Sequence, residues 1–206
     1  MFIKNNTQNS FLSIKTESKG YFKDKGSKFL SFAFPVKTVE ESLSIIKQKR
    51  KEFYDATHIC YAYMLGNERN TFRINDDGEP SGTAGKPILG QINSKVLTNI
   101  LVIVVRYFGG ILLGTSGLIN AYKNAASEVL NNAEIVEIAI EKQLKITCGY
   151  DDLNFIIRLI KDLEVKVIHQ NMSVNCEFTV ICKQIFYENL LSKLQNNSSI
   201  KLTTFL

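Results

Sequence analysis

Two blocks rich in glycine and proline, separated by one apolar run, constrain the fold of this chain more than any other feature. The first block covers residues 76–87 and reads DDGEPSGTAGKP; the second covers 106–117 and reads RYFGGILLGTSG. Between them, residues 100–105 read ILVIVV, a short and unbroken β-branched run that is typical of a buried strand. Because glycine and proline impose unusual backbone conformations, the sequence predicts two shaped loops flanking this strand, where binding residues commonly lie.

The same two blocks resemble the YigZ/IMPACT family of small proteins. The match is close from about Asp55 to Ala126, and it includes DDGEPSGTAGKPIL and VVRYFGG with the following LG, GL and AY. The resemblance implies an α+β protein with a βαβ-type N-terminal domain over residues 1–136, similar to the second domain of a ribosomal protein. It also implies a ferredoxin-like domain over residues 137–206, similar to one in elongation factor G, and a relationship to a eukaryotic regulator of translation.

Three positions of the second block region depart from the family pattern. Family members usually carry lysine at the position of Leu112, arginine at that of Asn120 and glycine at that of Ser116. The chain therefore has two fewer cations here than the resemblance implies.

The charge of the chain is unevenly distributed. Residues 1–136 contain 17 Lys and Arg against 12 Asp and Glu, whereas residues 137–206 contain eight of each kind. The excess of positive charge predicts that any contact with a polyanion is made by the first part.

Composition excludes several classes of protein. At 206 residues and 45% hydrophobic content the chain can build one or two real cores. It has no apolar run of membrane-spanning length, and its N-terminal residues lack the apolar core of a signal peptide, so a cytoplasmic protein is expected. The four cysteines lack the spacing of a zinc site or a disulfide scaffold, which predicts buried free thiols, no metal and no cofactor.

Periodicity predicts the order of the elements. In the first part it predicts a strand at 28–34, a helix at 39–53 behind a Thr38–Glu41 capping box, a strand at 57–65, a short helix within 88–96, a strand at 100–107 and a long helix at 116–131. In the last third it predicts a βαββαβ order, with strands at 138–147, 165–169, 174–182 and 200–205 and helices at 153–163 and 185–194.

The second glycine block joins a strand to a helix, an arrangement that can aim backbone N–H groups at an anion. Its spacing resembles a P-loop, but Thr115 replaces the P-loop lysine and no Mg²⁺-binding aspartate ends a second apolar strand, which argues against a nucleoside triphosphatase. Two interpretations stay open: an anion site at a helix N-terminus capped by Thr115 and Ser116, or a structural turn. The candidate anion- or nucleic-acid-binding residues, with two rings for base stacking, are Arg73, Lys86, Arg106, Tyr107, Phe108, Gly109, Gly110, Gly114, Thr115, Ser116 and Gly117.

The first glycine block crowds three carboxylates, Asp76, Asp77 and Glu79, into four residues. They could bind a divalent cation or act as acid and base, or they could cap N–H groups and pair with nearby arginine or lysine. Glu79 is expected to point outward from the turn, and His58 is either a base that reaches the block or a structural group. The candidate cleft residues are His58, Asp76, Asp77, Gly78, Glu79 and Thr83.

Three functions remain open at this point, and no catalytic residue is predicted because no serine or cysteine lies in a nucleophile elbow. The first function is a binding module for RNA or the ribosome, acting in translation. The others are an enzyme acting on a small anionic ligand between the two blocks, and an adaptor that binds another protein. The sequence does not indicate which oligomeric state the protein adopts.

Overall fold

The computed structural model describes residues 9–205, and the chain divides into two compact units. The first unit is Phe11–Ile138. The second is Ala139–Leu206 together with Asn9 and Ser10 of the described N-terminal residues. The predicted division between residues 136 and 137 would cut the strand Ile135–Ala139, and as a boundary for isolated fragments it stays a prediction.

The first unit contains seven strands and three helices among its described residues. They are β1 Ser10–Ile14, β2 Ser18–Asp24, β3 Ser27–Pro35, α1 Val39–Glu52, β4 His58–Leu65, β5 Thr71–Asn75, α2 Gly85–Ser94, β6 Ile100–Tyr107, α3 Gly114–Asn131 and β7 Ile135–Ala139. The elements predicted in this part are all present. β1, β2 and β5 were not predicted; the polar run of β2 and the exposed residues of β5 carry little apolar signal.

Five strands of this unit form one antiparallel sheet in the order β2-β3-β6-β4-β5, and β1 pairs separately with β7. β3 and β4 both run antiparallel to β6, one on each side of it. They are therefore parallel to each other, and α1 connects them as a split βαβ unit.

Both faces of this sheet are covered by helices. On one face, Cys60 and Val104 pack against Tyr122 of α3 and other residues of α2 and α3. On the other face, Tyr61 and Ile103 pack with residues of α1. A strand covered on both faces has no polar side, which explains why β6 is an unbroken apolar run.

The predicted capping box forms at the start of α1. The Thr38 hydroxyl accepts a hydrogen bond from Glu41 N–H at 3.1 Å, and the Glu41 carboxylate accepts one from Lys37 N–H at 2.6 Å. In this helix Ile46 is buried, whereas Leu43 is 44% exposed. Leu43 follows buried Ser42, which turns inward and donates back to the Thr38 carbonyl.

The second unit has the predicted βαββαβ order. Its elements are β8 Glu141–Cys148, a 3₁₀ turn Tyr150–Asp152, α4 Leu153–Asp162, β9 Lys166–Met172, β10 Cys176–Lys183, α5 Gln184–Gln195 and β11 Lys201–Thr204. The four strands form an antiparallel sheet in the order β11-β8-β10-β9. The predicted strand at 138–147 is divided between the end of β7 and β8.

The core of the second unit lies against one face of its sheet. Ile146 and Phe178 of the central strands pack with Ile156 of α4 and Leu190 of α5. The protein is thus α+β, as predicted. No helix within residues 9–205 is long and apolar enough to cross a membrane.

Candidate nucleic-acid interface

The first glycine block folds into a turn that ends at α2, and Asp76 organises it. Its carboxylate accepts hydrogen bonds from the N–H groups of Gly82 at 2.8 Å, Ala84 at 3.0 Å and Gly85 at 2.8 Å. Burial opposes ionisation, but these N–H groups outweigh it and hold the pKa of the Asp76 carboxyl below its usual value. Asp76 therefore caps N–H groups, which is the structural alternative left open by the sequence.

Asp77 connects this turn to two other elements. It has φ +47° and precedes Gly78 at φ +87°, as expected for a tight turn. Its carboxylate accepts from Ile59 N–H at 2.7 Å and from the Arg50 guanidinium at 2.5 Å. The carboxylates of the block thus splay to different partners. Among residues 9–205 no cluster of three or more His, Cys, Asp or Glu is arranged to hold a metal.

Glu79 points into the interior, and the expectation that it faces outward is wrong. Its side chain is 3% exposed and accepts hydrogen bonds from Arg106 Nη1 at 2.6 Å and the Tyr122 hydroxyl at 2.8 Å. Arg106 is itself only 5% exposed. Buried charges need a partner of opposite sign, and the Arg106 guanidinium has that partner in Glu79. The prediction that Arg106 is exposed to a phosphate is therefore wrong.

His58 and Cys60 complete this buried polar cluster. His58 Nδ1 lies 2.8 Å from the Asp77 carbonyl oxygen and Nε2 lies 3.8 Å from Glu79 Oε1. The Cys60 thiol donates to the Asp76 carbonyl, and burial raises the pKa of that thiol and of the Tyr122 hydroxyl. The thiol and the phenol stay protonated and are engaged, so the cluster is an interior network.

The second glycine block is held against the β2–β3 hairpin by a close backbone approach. A Cβ on Gly109 would lie 1.9 Å from the carbonyl carbon of Gly26, a separation that only glycine permits. The Gly109 N–H donates to the Ser27 hydroxyl at 3.2 Å. Because this N–H already has a partner, the expectation that it faces a phosphate is wrong.

The same block then leads into α3 through residues in unusual conformations. Gly110 has φ +86° and Gly114 has φ +70°. The helix begins at Gly114 behind Leu113, which provides no side-chain cap. The expected caps, Thr115 and Ser116, lie instead in the first helical turn with Gly117 following them, because the helix starts earlier than predicted.

Beside this contact lies a surface groove of about 480 Å³, here called the hairpin groove. Tyr21 and Phe108 are 52% and 46% exposed beside it. The Tyr107 hydroxyl donates to Asp55 at 2.9 Å, which fixes its ring. The groove is lined by Tyr21, Gly26, Lys28, Leu30, Tyr107 and Phe108.

Three exposed lysines surround the hairpin that forms one wall. Lys23 and Lys28 lie directly opposite each other on β2 and β3, and Lys25 occupies the turn at φ +42°. Within residues 9–205, none of the three takes part in an ion pair. Like charges directly opposite on neighbouring strands repel, so this surface favours an anion.

The groove contains two of the residues predicted from the sequence and several that were missed. Tyr107 and Phe108 line it, whereas the predicted cations Arg73 and Lys86 are exposed but do not. Thr83 is buried and donates to the Pro80 carbonyl at 2.6 Å. Tyr21 and Lys28 of the groove were missed, as were Lys23 and Lys25 beside it, and the lysines spaced around Gly26 were the signal that could have found them.

Comparison with known proteins decides the family. The sequence profile of the Impact N-terminal domain matches residues 25–130, which include both glycine blocks. The chain belongs to the IMPACT family. The IMPACT family member YvyE of Bacillus subtilis (strain 168) is 33% identical over 193 residues, covering 92% of this chain and 89% of that protein. The IMPACT family member YigZ of Escherichia coli (strain K12) is 34% identical over 149 residues, covering 71% and 73%.

A solved structure extends the similarity across the fold. A chain described as "Crystal structure of an hypothetical protein" has 28% sequence identity and a TM-score of 0.75, and the match covers 97% of this chain and 98% of that one. In this IMPACT family member, Lys28, Tyr107 and Phe108 of the hairpin groove lie inside the matched domain, while Tyr21 lies just before it. Leu112 and Asn120, the two departures from the family pattern, are both exposed.

Proposed function

We propose that this protein is a binding module for single-stranded RNA and that the hairpin groove is its binding surface. The observation that carries the proposal is the groove of about 480 Å³, which is lined by the rings of Tyr21, Tyr107 and Phe108 together with Lys28. Single-stranded nucleic acid is bound by basic grooves that follow the backbone and aromatic rings that stack on the bases. The groove combines the two features.

The charge around the groove supports this ligand. Lys23, Lys25 and Lys28 crowd one hairpin without an ion-pair partner among residues 9–205. A bound phosphate backbone would relieve the repulsion between Lys23 and Lys28 and release counterions. The sequence places all the excess positive charge in the same part of the chain.

The exposed rings favour a single strand over a duplex. Tyr21 and Phe108 keep about half of their surface in solvent, which is more than packing requires. Stacking on an aromatic ring contributes about 1–3 kcal/mol per base and needs bases that are free of a partner strand. Neither ring is useful to a duplex whose base faces are already stacked.

On the two central strands of the second unit, the sheet face away from the core carries no aromatic ring. Its central strands β8 and β10 turn Gln143, Lys145 and Thr147, and Glu177, Thr179 and Ile181, away from the core. We infer from the element order and strand order that this unit is ferredoxin-like, but it offers no aromatic pair on those two strands for bases. RNA contact is therefore assigned to the first unit.

The role in translation and the cytoplasmic location are proposed from the family resemblance. The enzyme alternative has less support, because the Glu79 carboxylate and the Arg106 guanidinium are buried and paired with each other, and the buried Cys60 thiol donates to the Asp76 carbonyl. The adaptor alternative predicts no salt-sensitive binding of RNA, because a protein partner does not require phosphate contacts.

The test is fluorescence polarisation with a labelled single-stranded RNA and a duplex RNA of equal length, over a series of salt concentrations. With three or four phosphates contacted, the log–log salt slope for the single strand should be roughly −2 to −3, at about 0.7 per contact. Changing Lys23 and Lys28 together to Gln should reduce the magnitude of this salt slope by about 1.4. Tyr21→Ala or Phe108→Ala should weaken binding at every salt concentration without changing the slope.

Matched controls separate the groove from the rest of the surface. Phe72→Ala removes an aromatic side chain that is 57% exposed on β5, the opposite edge of the same sheet, and should leave affinity unchanged. Arg73→Gln and Lys86→Gln test the cations predicted from sequence, and the slope should stay the same. The family cations restored by Leu112→Lys and Asn120→Arg should add about 0.7 each to the slope if they face the strand. No salt-sensitive binding by either RNA would overturn the proposal in favour of the adaptor.

A further inference from the structure

We propose that Cys148 and Cys176 form a disulfide across the sheet of the second unit when the protein meets a small-molecule disulfide oxidant. The two residues lie directly opposite each other on the antiparallel strands β8 and β10. Both are free thiols and both side chains face the same buried core. This modification site is independent of the hairpin groove.

The geometry of the strand pair suits the bond. Residues directly opposite in an antiparallel pair have Cα atoms about 4.5–5.5 Å apart, whichever of the two hydrogen-bonding positions they occupy. A disulfide accepts Cα separations of about 4.4–6.8 Å. The bond therefore requires no change of strand register. Burial, and after it the neighbouring Cys176 thiol, raises the pKa of the Cys148 thiol.

The position of the pair at the strand ends gives a route for the oxidant. Cys148 is the last residue of β8 and Cys176 is the first residue of β10. Gly149 follows Cys148. A bend precedes Cys176, and its residue Val174 is 89% exposed. Strand ends open locally at a low free-energy cost, so the thiols become accessible without unfolding of the sheet.

The reaction is a thiol–disulfide exchange that balances without any other reagent. The Cys148 thiol loses its proton, and its sulfur attacks one sulfur of the small disulfide, forming a mixed disulfide and releasing one small thiolate, which takes up a proton. The Cys176 thiol then loses its proton and attacks the Cys148 sulfur, forming the protein disulfide and releasing the second small thiol. Two protein thiols are oxidised and one small disulfide is reduced to two thiols.

Cys182 provides a matched control within the same strand. It is buried on the same face of β10, but the residue opposite it is Lys142, so it has no thiol to join. Cys60 is the fourth thiol and lies in the first unit, where it donates to the Asp76 carbonyl. Among the three cysteines of the second unit, Cys148 and Cys176 are the two that lie directly opposite each other.

The experiment equilibrates the full-length protein in glutathione buffers from reducing to oxidising, then traps free thiols by alkylation in denaturant and maps the peptides by mass spectrometry. We expect two of the four thiols to disappear together, with a Cys148–Cys176 cross-link and no bound glutathione on either residue. Cys182→Ala should preserve the cross-link; Cys148→Ala and Cys176→Ala should each abolish it. Four free thiols in the most oxidising buffer, a stable glutathione adduct in place of the cross-link, or a cross-link through Cys182 or Cys60 would each overturn the proposal. The wild-type peptide map gives this answer even where a variant does not fold.

Discussion

Replacing Gly109 by alanine tests whether the approach of the second glycine block to the hairpin shapes the first unit. The new Cβ would lie 1.9 Å from the Gly26 carbonyl carbon, 2.1 Å from Ser27 N and 2.3 Å from the Gly26 carbonyl oxygen. All three are backbone atoms, so no side chain can rotate away. Reaching an ordinary contact distance of 3.4 Å requires the two backbones to separate by about 1.5 Å.

The loss of stability in Gly109→Ala follows from the contacts that this separation of the two backbones disrupts. The separation removes the hydrogen bond from Gly109 N–H to the Ser27 hydroxyl, worth about 0.5–1.5 kcal/mol, and overpacks a close contact, which costs about 1–3 kcal/mol. We expect a total loss of about 2–4 kcal/mol in the free energy of unfolding. For a chain of this size the melting temperature falls by about 5–15 °C.

Two other glycines make the prediction specific. Gly110 has φ +86° but open space around its Cβ position, so Gly110→Ala should cost only about 1 kcal/mol from the left-handed backbone. Gly90 lies in α2 with open space and no positive φ, so Gly90→Ala should stabilise by about 1 kcal/mol.

Thermal and urea unfolding, followed by circular dichroism, measure all three variants. The expected order of stability is Gly90→Ala above wild type, then Gly110→Ala, then Gly109→Ala. Because Gly26 and Phe108 line the hairpin groove on either side of this contact, Gly109→Ala should also weaken binding of single-stranded RNA. A Gly109→Ala protein as stable as Gly110→Ala would refute the argument from close approach.

Three further predictions concern the first unit. Glu79→Gln should lower the free energy of unfolding by about 3 kcal/mol in urea titrations, because it leaves the buried Arg106 charge without a counter-charge. Asp76→Asn should be less stable than wild type near neutral pH, and the gap should close as pH falls below about 4. The reason is that a carboxyl whose folded pKa is depressed contributes stability above its unfolded pKa and loses it as pH falls through the folded value. A fragment of residues 1–139, which keeps β7 whole, should unfold cooperatively by itself, and a fragment ending at residue 134 should be less stable.

Each of these three predictions can be contradicted by a specific result. Glu134→Gln breaks the exposed pair with Lys15 and should cost less than about 1 kcal/mol; an equal cost for both Glu variants would mean that the buried pair contributes no more than a surface one. A stability gap for Asp76→Asn that stays constant from pH 7 to pH 3 would show that the cap does not depend on charge. Non-cooperative unfolding of the 1–139 fragment would show that the two units depend on each other.

Structural features that depend on residues close together in the sequence could be predicted. The capping box at Thr38, the buried run at the start of β6, the strand β4 and the long helix α3 were all predicted because each depends on the spacing of neighbours along the chain. The two loops shaped by glycine were also predicted; in the second, Gly110 and Gly114 have positive φ angles and Gly109 lies against the backbone of Gly26.

The roles of the polar residues depended on contacts that spacing does not encode. Arg106 was predicted to face an anion, but Glu79, distant in sequence, reaches it in the interior, and a buried charge takes the nearest opposite charge. Glu79 turns inward because Tyr122 of α3 supplies a second donor there, and only packing of that helix onto the sheet brings the hydroxyl within 2.8 Å.

By itself the sequence determined the family, the types of most elements and the two loops that depend on glycine, since all of these are local properties of the chain. The tertiary structure alone decided which charges are buried and which surface is left open for a ligand. β2 carried too little apolar signal to be recognised, and only its pairing with β3 brings Tyr21, Lys23 and Lys28 together beside Phe108. A groove lined by residues of β2, β3, β6 and the loop after β6 exists only after the backbone hydrogen bonds between these strands have formed.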